Sequence, residues 1–334
     1  MSKILVTGGT GLVGSHLLYF LIKNGMHPIA IKRKNSDILN VKKIFSYYSS
    51  DYTELFKKIT WKECDLLDLL ELEKIIQKIE YIYHCAAFIS FNNNDKNKMI
   101  NVNTTGTSNI IDLSLKYSIR KLCYVSSIAT IGSNNNLPLN ENCIWDWTNE
   151  SGYAISKYLA EMEVWRGFAE GLDGVIVNPS LIIGPGSWNS GIGTIIKKIQ
   201  WGMPFYSAGS CGLIDVNDLV EIMFKLMNNN ITKERFIINS AHFTYKKLMT
   251  IIATSLHKRA PFIELNKHFM KFFILIDMFV NKIRNKRIEL SVDAVKYTTT
   301  EIKLNSEKIN NTIKHHYRNI ENSLKECTDI FINR

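Results

Sequence analysis

Residues 7–17 read TGGTGLVGSHL and follow the apolar run Ile4, Leu5, Val6. Three glycines at a spacing of three, Gly8, Gly11 and Gly14, stand where a strand gives way to a helix. Such a turn needs a residue without Cβ where the backbone bends, another where it approaches a diphosphate, and a third where helix and strand pack closely. The phosphates then rest on free amides at the helix N-terminus, and the helix dipole favours their charge. Gly8, Thr10, Gly11, Leu12, Val13 and Gly14 are therefore expected to bind a dinucleotide.

The pattern around this turn supports the same reading. Short β-branched runs at 4–7, 28–33, 59–63, 81–84 and 122–126 alternate with helical stretches, and a further run follows at 174–178. That alternation predicts parallel βαβ units. The first helix is expected over 11–24, burying Leu17, Leu18, Leu21 and Ile22, with Gly25 as its left-handed cap. A long helix is expected over 153–170. The fold class is thus α/β, a Rossmann-like doubly wound parallel sheet. Residues 1–180 are expected to form the dinucleotide-binding domain. Residues 181–334 then form a smaller, mostly helical substrate region, interleaved with the first and in part returning to the sheet.

At 334 residues and 46% hydrophobic content, the chain can bury a large core. Its net charge of +10 is spread along the sequence rather than gathered in one basic tract, which argues against a nucleic-acid groove. The six cysteines, Cys64, Cys85, Cys123, Cys143, Cys211 and Cys327, form no CxxC pair and no cluster at metal-ligand spacing. Reduced thiols, no metal and a cytoplasmic location are expected. No secretory signal is expected, since the chain starts with a strand-like segment rather than a charged stretch followed by an apolar one. FMKFFILIDMFV, residues 269–280, is interrupted by Lys271 and Asp277 and is shorter than the roughly 20 residues of a membrane span. It is read as a helix packed on the protein, with a membrane-surface or pocket-lining role as the alternative.

The end of the second strand bears on the choice of dinucleotide. Binding of NAD in this geometry calls for an acidic residue there, on the ribose 2′-hydroxyl. No acidic residue precedes Asp37, and the strand ends in Lys32, Arg33 and Lys34. These cations suit a 2′-phosphate, so NADP(H) is favoured. NAD(H) is the alternative if they are simply a solvated strand end.

A second constellation is YAISK, residues 153–157. Tyr153 and Lys157 share a helix face at i and i+4. A phenol with pKa near 10 transfers protons poorly at neutral pH until a cation favours phenolate, and Lys157 supplies one. Ser126 and Ser127, at the end of an earlier strand, can hydrogen-bond a carbonyl oxygen. Together with a nicotinamide these groups suffice for hydride transfer.

In this order of motifs the chain resembles the extended short-chain dehydrogenase/reductase superfamily over nearly its whole length. TGGTGLVG is similar to that group's TGxxGxxG turn, while CDLLD, HCAA and NVNTTGTSNI look like its adenine-side Asp, its fourth-strand end and its central Asn helix. The resemblance implies that Asp65 and Leu66 contact the adenine, that Ala86 and Ala87 flank the cofactor, and that Asn103 supports the active site. It gives Ser127 the catalytic serine role, with Ser126 as substitute. It makes Tyr153 the acid/base, with Lys157 lowering its pKa and holding the nicotinamide ribose.

VNPSLIIGPG, residues 177–186, looks like the NPxxxxGP signature of the dihydroflavonol 4-reductase-like and 3β-hydroxysteroid dehydrogenase-like branches. By that likeness Pro179 and Ser180 lie against the nicotinamide. Sugar-nucleotide dehydratases carry a carboxylate pair where Ile128 and Ala129 stand, which argues against that mechanism. The leading expectation is an NAD(P)(H)-dependent oxidoreductase for a small carbonyl or alcohol. A nucleotide-sugar epimerase is the alternative, and a non-catalytic dinucleotide sensor the third reading. Trp188, Trp201, Phe205 and Tyr206 are candidates for an apolar pocket or for core packing, Asp218 for a helix N-cap, and the family's habit implies a possible homodimer.

Overall fold

A computed structural model describes residues 3–90, 93–132, 138–147, 151–265 and 299–334. The stretch 269–280 lies outside the described residues. Six strands come in the order anticipated: β1 (Ile4–Thr7), β2 (Ile29–Lys32), β3 (Thr60–Glu63), β4 (Tyr81–His84), β5 (Lys121–Val125) and β6 (Gly174–Pro179). Helices α1 (Leu12–Lys23), α2 (Ile38–Ser46), α3 (Tyr52–Lys57), α4 (Leu69–Ile76), α5 (Lys96–Lys116) and α6 (Gly152–Ala169) alternate with them. Later come β7 (Leu181–Ile183), α7 (Gly191–Gln200), β8 (Phe205–Ser207), β9 (Ser210–Asp215), α8 (Val216–Met227), β10 (Glu234–Ile238), β11 (Ala241–Thr244), α9 (Tyr245–Ser255) and β12 (Ile263–Leu265). Two helices follow, Glu307–Thr312 and Ile320–Ile332.

The main sheet has seven strands in the order β3-β2-β1-β4-β5-β6-β10, and every pairing in it is parallel. β10 reaches this sheet from the C-terminal half of the chain and forms its edge. Both faces are covered, which explains why the strands read as unbroken apolar runs rather than as alternation. Val6, Ala30, Cys123, Val125, Val175 and Val177 face one layer, with Leu17, Leu21, Leu219 and Leu226 of α1 and α8. Leu5, Ile31, Ile82, Leu122 and Ile176 face the other, with Ile110, Ile111, Ala160 and Val164 of α5 and α6. α1 ends as anticipated, with Gly25 at φ +77°.

The strand order reverses between β1 and β4, whose neighbours run outward in opposite directions. At such a switch point the loops after the two strands diverge, and the crevice between them is the binding position of open α/β sheets. A separate apolar cluster lies among α7, α9, β9 and the helix Ile320–Ile332.

Candidate active site

The glycine turn is built by backbone crowding. Gly8 adopts φ +66°, and a Cβ there would lie 2.6 Å from the amide nitrogen of Ala86, after β4. A Cβ on Gly14 would meet the carbonyl oxygen of Gly8 at 2.2 Å. Gly11 donates its amide to that same carbonyl at 2.9 Å. The first turn of α1 has neither a side-chain cap nor an acidic residue, so its leading amides remain available to an anion. A dinucleotide diphosphate fits these features. Gly14→Ala is expected to cost about 1–3 kcal/mol by overpacking, measured by urea unfolding, and to weaken dinucleotide binding by calorimetry. Unchanged stability and affinity would show that the turn tolerates a methyl group.

The other expected cofactor contacts cluster at the carboxyl ends of the same strands. Ala86 donates its amide to Thr7 Oγ1 at 3.2 Å, and Ala87 is exposed. Asp65 is exposed, accepting the Leu67 amide at 3.0 Å, while the Leu66 carbonyl accepts from Asn109 Nδ2 at 2.8 Å. Pro179 closes β6, and Ser180 donates its amide to Ile238 O at 3.0 Å. Among the described residues the buried Ser180 hydroxyl has no hydrogen-bond partner, an orphan that a ligand amide would satisfy. At the end of β2 the reading needs adjustment. Lys32 forms an ion pair with Glu63 of β3 at 2.8 Å, so its charge is already matched. Arg33 and Lys34 are exposed beside it.

Ser127, Tyr153 and Lys157 come together where β5 and α6 meet. Ser127 is the N-cap of a short turn, its Oγ accepting the Ala129 amide at 3.1 Å. It also hydrogen-bonds the Tyr153 phenol, drawing that group's pKa down. Burial acts the other way and is the larger effect, so the phenol lies above its ordinary value rather than below it. The expected acidification by Lys157 is therefore not seen, for a physical reason. The Lys157 ammonium is turned into the sheet, donating to Tyr124 Oη and to Val125 O, each at 2.8 Å. Burial lowers its pKa to about 7, opposed by the nearby Glu161 carboxylate. Asn103 clasps the loop after β4: its Oδ1 accepts the Phe88 amide at 2.7 Å, and its Nδ2 donates to Phe88 O at 2.9 Å and to Ser156 Oγ at 3.1 Å.

Ser126 has a different partner, Glu161 Oε2, at 2.5 Å. This carboxylate is fully buried and also accepts from Thr130 Oγ1 at 2.7 Å, Asn178 Nδ2 at 2.9 Å and Arg235 at 3.1 Å. It ties the end of β5, the end of β6 and edge strand β10 to α6. Sequence reasoning missed it, although Glu161 continues the i, i+4 series of Tyr153 and Lys157 on one helix face.

Two further expectations resolve here. The N-cap of α8 is Asp215, whose side chain accepts the Asn217 amide at 2.7 Å. Asp218 lies in the first turn and binds Arg318 instead, accepting its amide at 2.9 Å. Trp188 packs edge-on against Phe331 and Tyr206 is in the core, whereas Trp201 is 78% exposed, so these aromatics do not share one pocket. Among the described residues all six cysteines are free, no acidic, His or Cys cluster could hold a metal ion, and no helix is long and apolar enough to cross a membrane.

Comparison with known proteins agrees with the geometry. Residues 4–239 match the NAD dependent epimerase/dehydratase family. The chain is 29% identical over 266 residues to a putative dihydroflavonol 4-reductase of Synechocystis, covering 77% of this chain and 73% of that protein. It is 26% identical over 257 residues to sterol demethylase protein B of Methylococcus capsulatus, covering 73% and 72%. The crystal structure of DesIV, a dTDP-glucose 4,6-dehydratase of Streptomyces venezuelae solved with NAD bound, shares the fold at a TM-score of 0.78, 16% identity and coverage of 99% and 97%. With the glycine turn at the switch point and the Ser, Tyr and Lys side chains gathered beside it, the chain belongs to the NAD dependent epimerase/dehydratase family, enzymes of the extended short-chain dehydrogenase/reductase type.

Proposed function

We propose that this enzyme interconverts a small-molecule carbonyl and its alcohol, with Ser127, Tyr153 and Lys157 as its catalytic set and Asn103 in support. The observation that carries this reading is the hydrogen bond between Ser127 and Tyr153 at the carboxyl edge of β5. A carbonyl oxygen held by the Ser127 hydroxyl lies within reach of the Tyr153 phenol, which donates its proton there as the alcohol forms. Bound in the crevice, a nicotinamide dinucleotide supplies the hydride equivalent in reduction and accepts it in oxidation. The amides after Gly11 hold its diphosphate, Asp65, Leu66, Ala86 and Ala87 flank it, Pro179 and Ser180 lie against its nicotinamide, and Lys157 binds its ribose and keeps positive charge near the phenol.

We assign NADP(H) as the preferred cofactor. Lys32 is matched by Glu63, so this preference falls to the exposed Arg33. Arg33→Ala is expected to weaken NADPH binding roughly tenfold, the scale of one charge-assisted hydrogen bond, and to leave NADH binding unchanged. Equal losses for both cofactors, or none, would remove Arg33 from the site.

The function itself is tested by incubating the protein with aldehydes and ketones of varied size and following NADPH and NADH oxidation. A reductase consumes cofactor in step with product. A nucleotide-sugar epimerase regenerates its cofactor at every turnover, so conversion of a nucleotide sugar without net cofactor change would replace the present reading.

A further inference from the structure

The register of the central strands sets three polar side chains in a row. Thr7 of β1 lies opposite His84 of β4, and His84 lies opposite Tyr124 of β5. The residues two positions earlier, Leu5, Ile82 and Leu122, belong to the apolar layer beneath α5 and α6. Period-two alternation therefore turns the polar row to that same face. All three side chains are buried. A polar row in an apolar layer is unfavourable unless its members are hydrogen-bonded, and these are. His84 Nδ1 is 2.6 Å from Thr7 Oγ1, and its Nε2 is 3.1 Å from Thr107 Oγ1 of α5. Thr107 also hydrogen-bonds the Tyr124 phenol. The file ends on Lys157, whose Nζ lies 2.8 Å from Tyr124 Oη and 4.4 Å from the centre of its ring.

We propose that Tyr124 is a positioning residue for Lys157: its phenol oxygen and ring hold the ammonium against the sheet, anchored in turn by the Thr107–His84–Thr7 file. Two of the three ammonium donors are engaged by Tyr124 Oη and Val125 O, and the third serves the cofactor ribose. This inference rests on the reading of Lys157 as a cofactor ligand.

The titratable groups around Lys157 are Tyr153 and Glu161 on α6, Tyr124 on β5, His84 at the end of β4 and Cys85 just beyond it. Burial holds His84 at about 3 and Cys85 at about 12, so both are neutral near pH 7. Burial likewise pushes the Tyr124 phenol well above its ordinary value. Tyr124 therefore acts as a neutral acceptor, favouring ammonium over amine. Without that acceptor, the Lys157 pKa falls further below about 7 and the ammonium is lost at a lower pH.

The test is dinucleotide binding, followed by fluorescence with NADH and with NADPH from acid to alkaline pH, for the wild type, Tyr124→Phe, Thr107→Val and Lys157→Met. Near-UV circular dichroism checks folding. Lys157→Met is expected to bind on the order of tenfold more weakly. Tyr124→Phe should match the wild type at acid pH and lose affinity about one pH unit earlier as pH rises. Thr107→Val, which leaves the phenol in place, should shift the curve the same way by less. Tyr124→Phe and Thr107→Val curves that overlie the wild type, with Lys157→Met impaired, would overturn the inference while leaving the catalytic reading intact. Should Tyr124→Phe fail to fold, an unshifted Thr107→Val curve would overturn it alone. Wild-type binding by Lys157→Met would instead bring down the role of Lys157 itself, and this inference with it.

Discussion

Tyr153→Phe is expected to lower kcat by about 10²–10⁴-fold, the usual contribution of a positioned acid/base group. The ring keeps its packing in α6, and only the proton donor at the hydroxyl is removed. Binding of the dinucleotide should change by no more than a few-fold, because the glycine turn and the ends of β3, β4 and β6 are untouched. The pH dependence carries a second signature. Burial raises the Tyr153 phenol above its ordinary value, so it remains protonated through neutral pH and is ready to donate in the direction of reduction. Oxidation needs the phenolate and is expected to speed up as pH rises, a dependence that the Phe variant lacks. Steady-state rates in both directions check this, and wild-type turnover by Tyr153→Phe would end the catalytic assignment.

Glu161→Leu is expected to destabilise the fold by about 3–5 kcal/mol, because removing one partner of a buried ion pair strands the other. Arg235 would lose its carboxylate, and Ser126, Thr130 and Asn178 would lose their common acceptor. Urea unfolding of the ligand-free protein measures this as a lower midpoint at unchanged slope. Converting Arg235 to Leu as well should recover part of the loss, since an apolar pair removes the stranded charge. A single Glu161→Leu variant as stable as the wild type would show that these contacts contribute nothing net. Activity should fall too, because the carboxylate joins the strand end bearing Ser127 to the helix bearing Tyr153.

The site was unequally legible in the sequence. Gly8 and Gly14 announce their turn because a Cβ at either position would overlap neighbouring backbone, 2.6 Å from Ala86 N and 2.2 Å from Gly8 O. Tyr153 and Lys157 announce their shared face because helical periodicity is local. Asp215 was passed over for Asp218 because N-cap preference identifies residue types and leaves open which acid within a few residues caps the helix. Lys32 reads as a free cation until β2 and β3 pair and bring Glu63 to it.

Local order along the chain was thus enough to determine the alternation of the first six strands with helices in outline, the glycine turn, and which helix face carries Tyr153 and Lys157. These depend on φ/ψ limits, side-chain periodicity and glycine's missing Cβ, all of which act within a few residues. Tertiary structure alone decided where the Lys157 ammonium points, that Glu161 joins three strands to α6, and that Thr7, His84 and Tyr124 form one row. Those outcomes depend on strand register and on burial, which couple residues far apart in the chain and come into existence only when the sheet assembles.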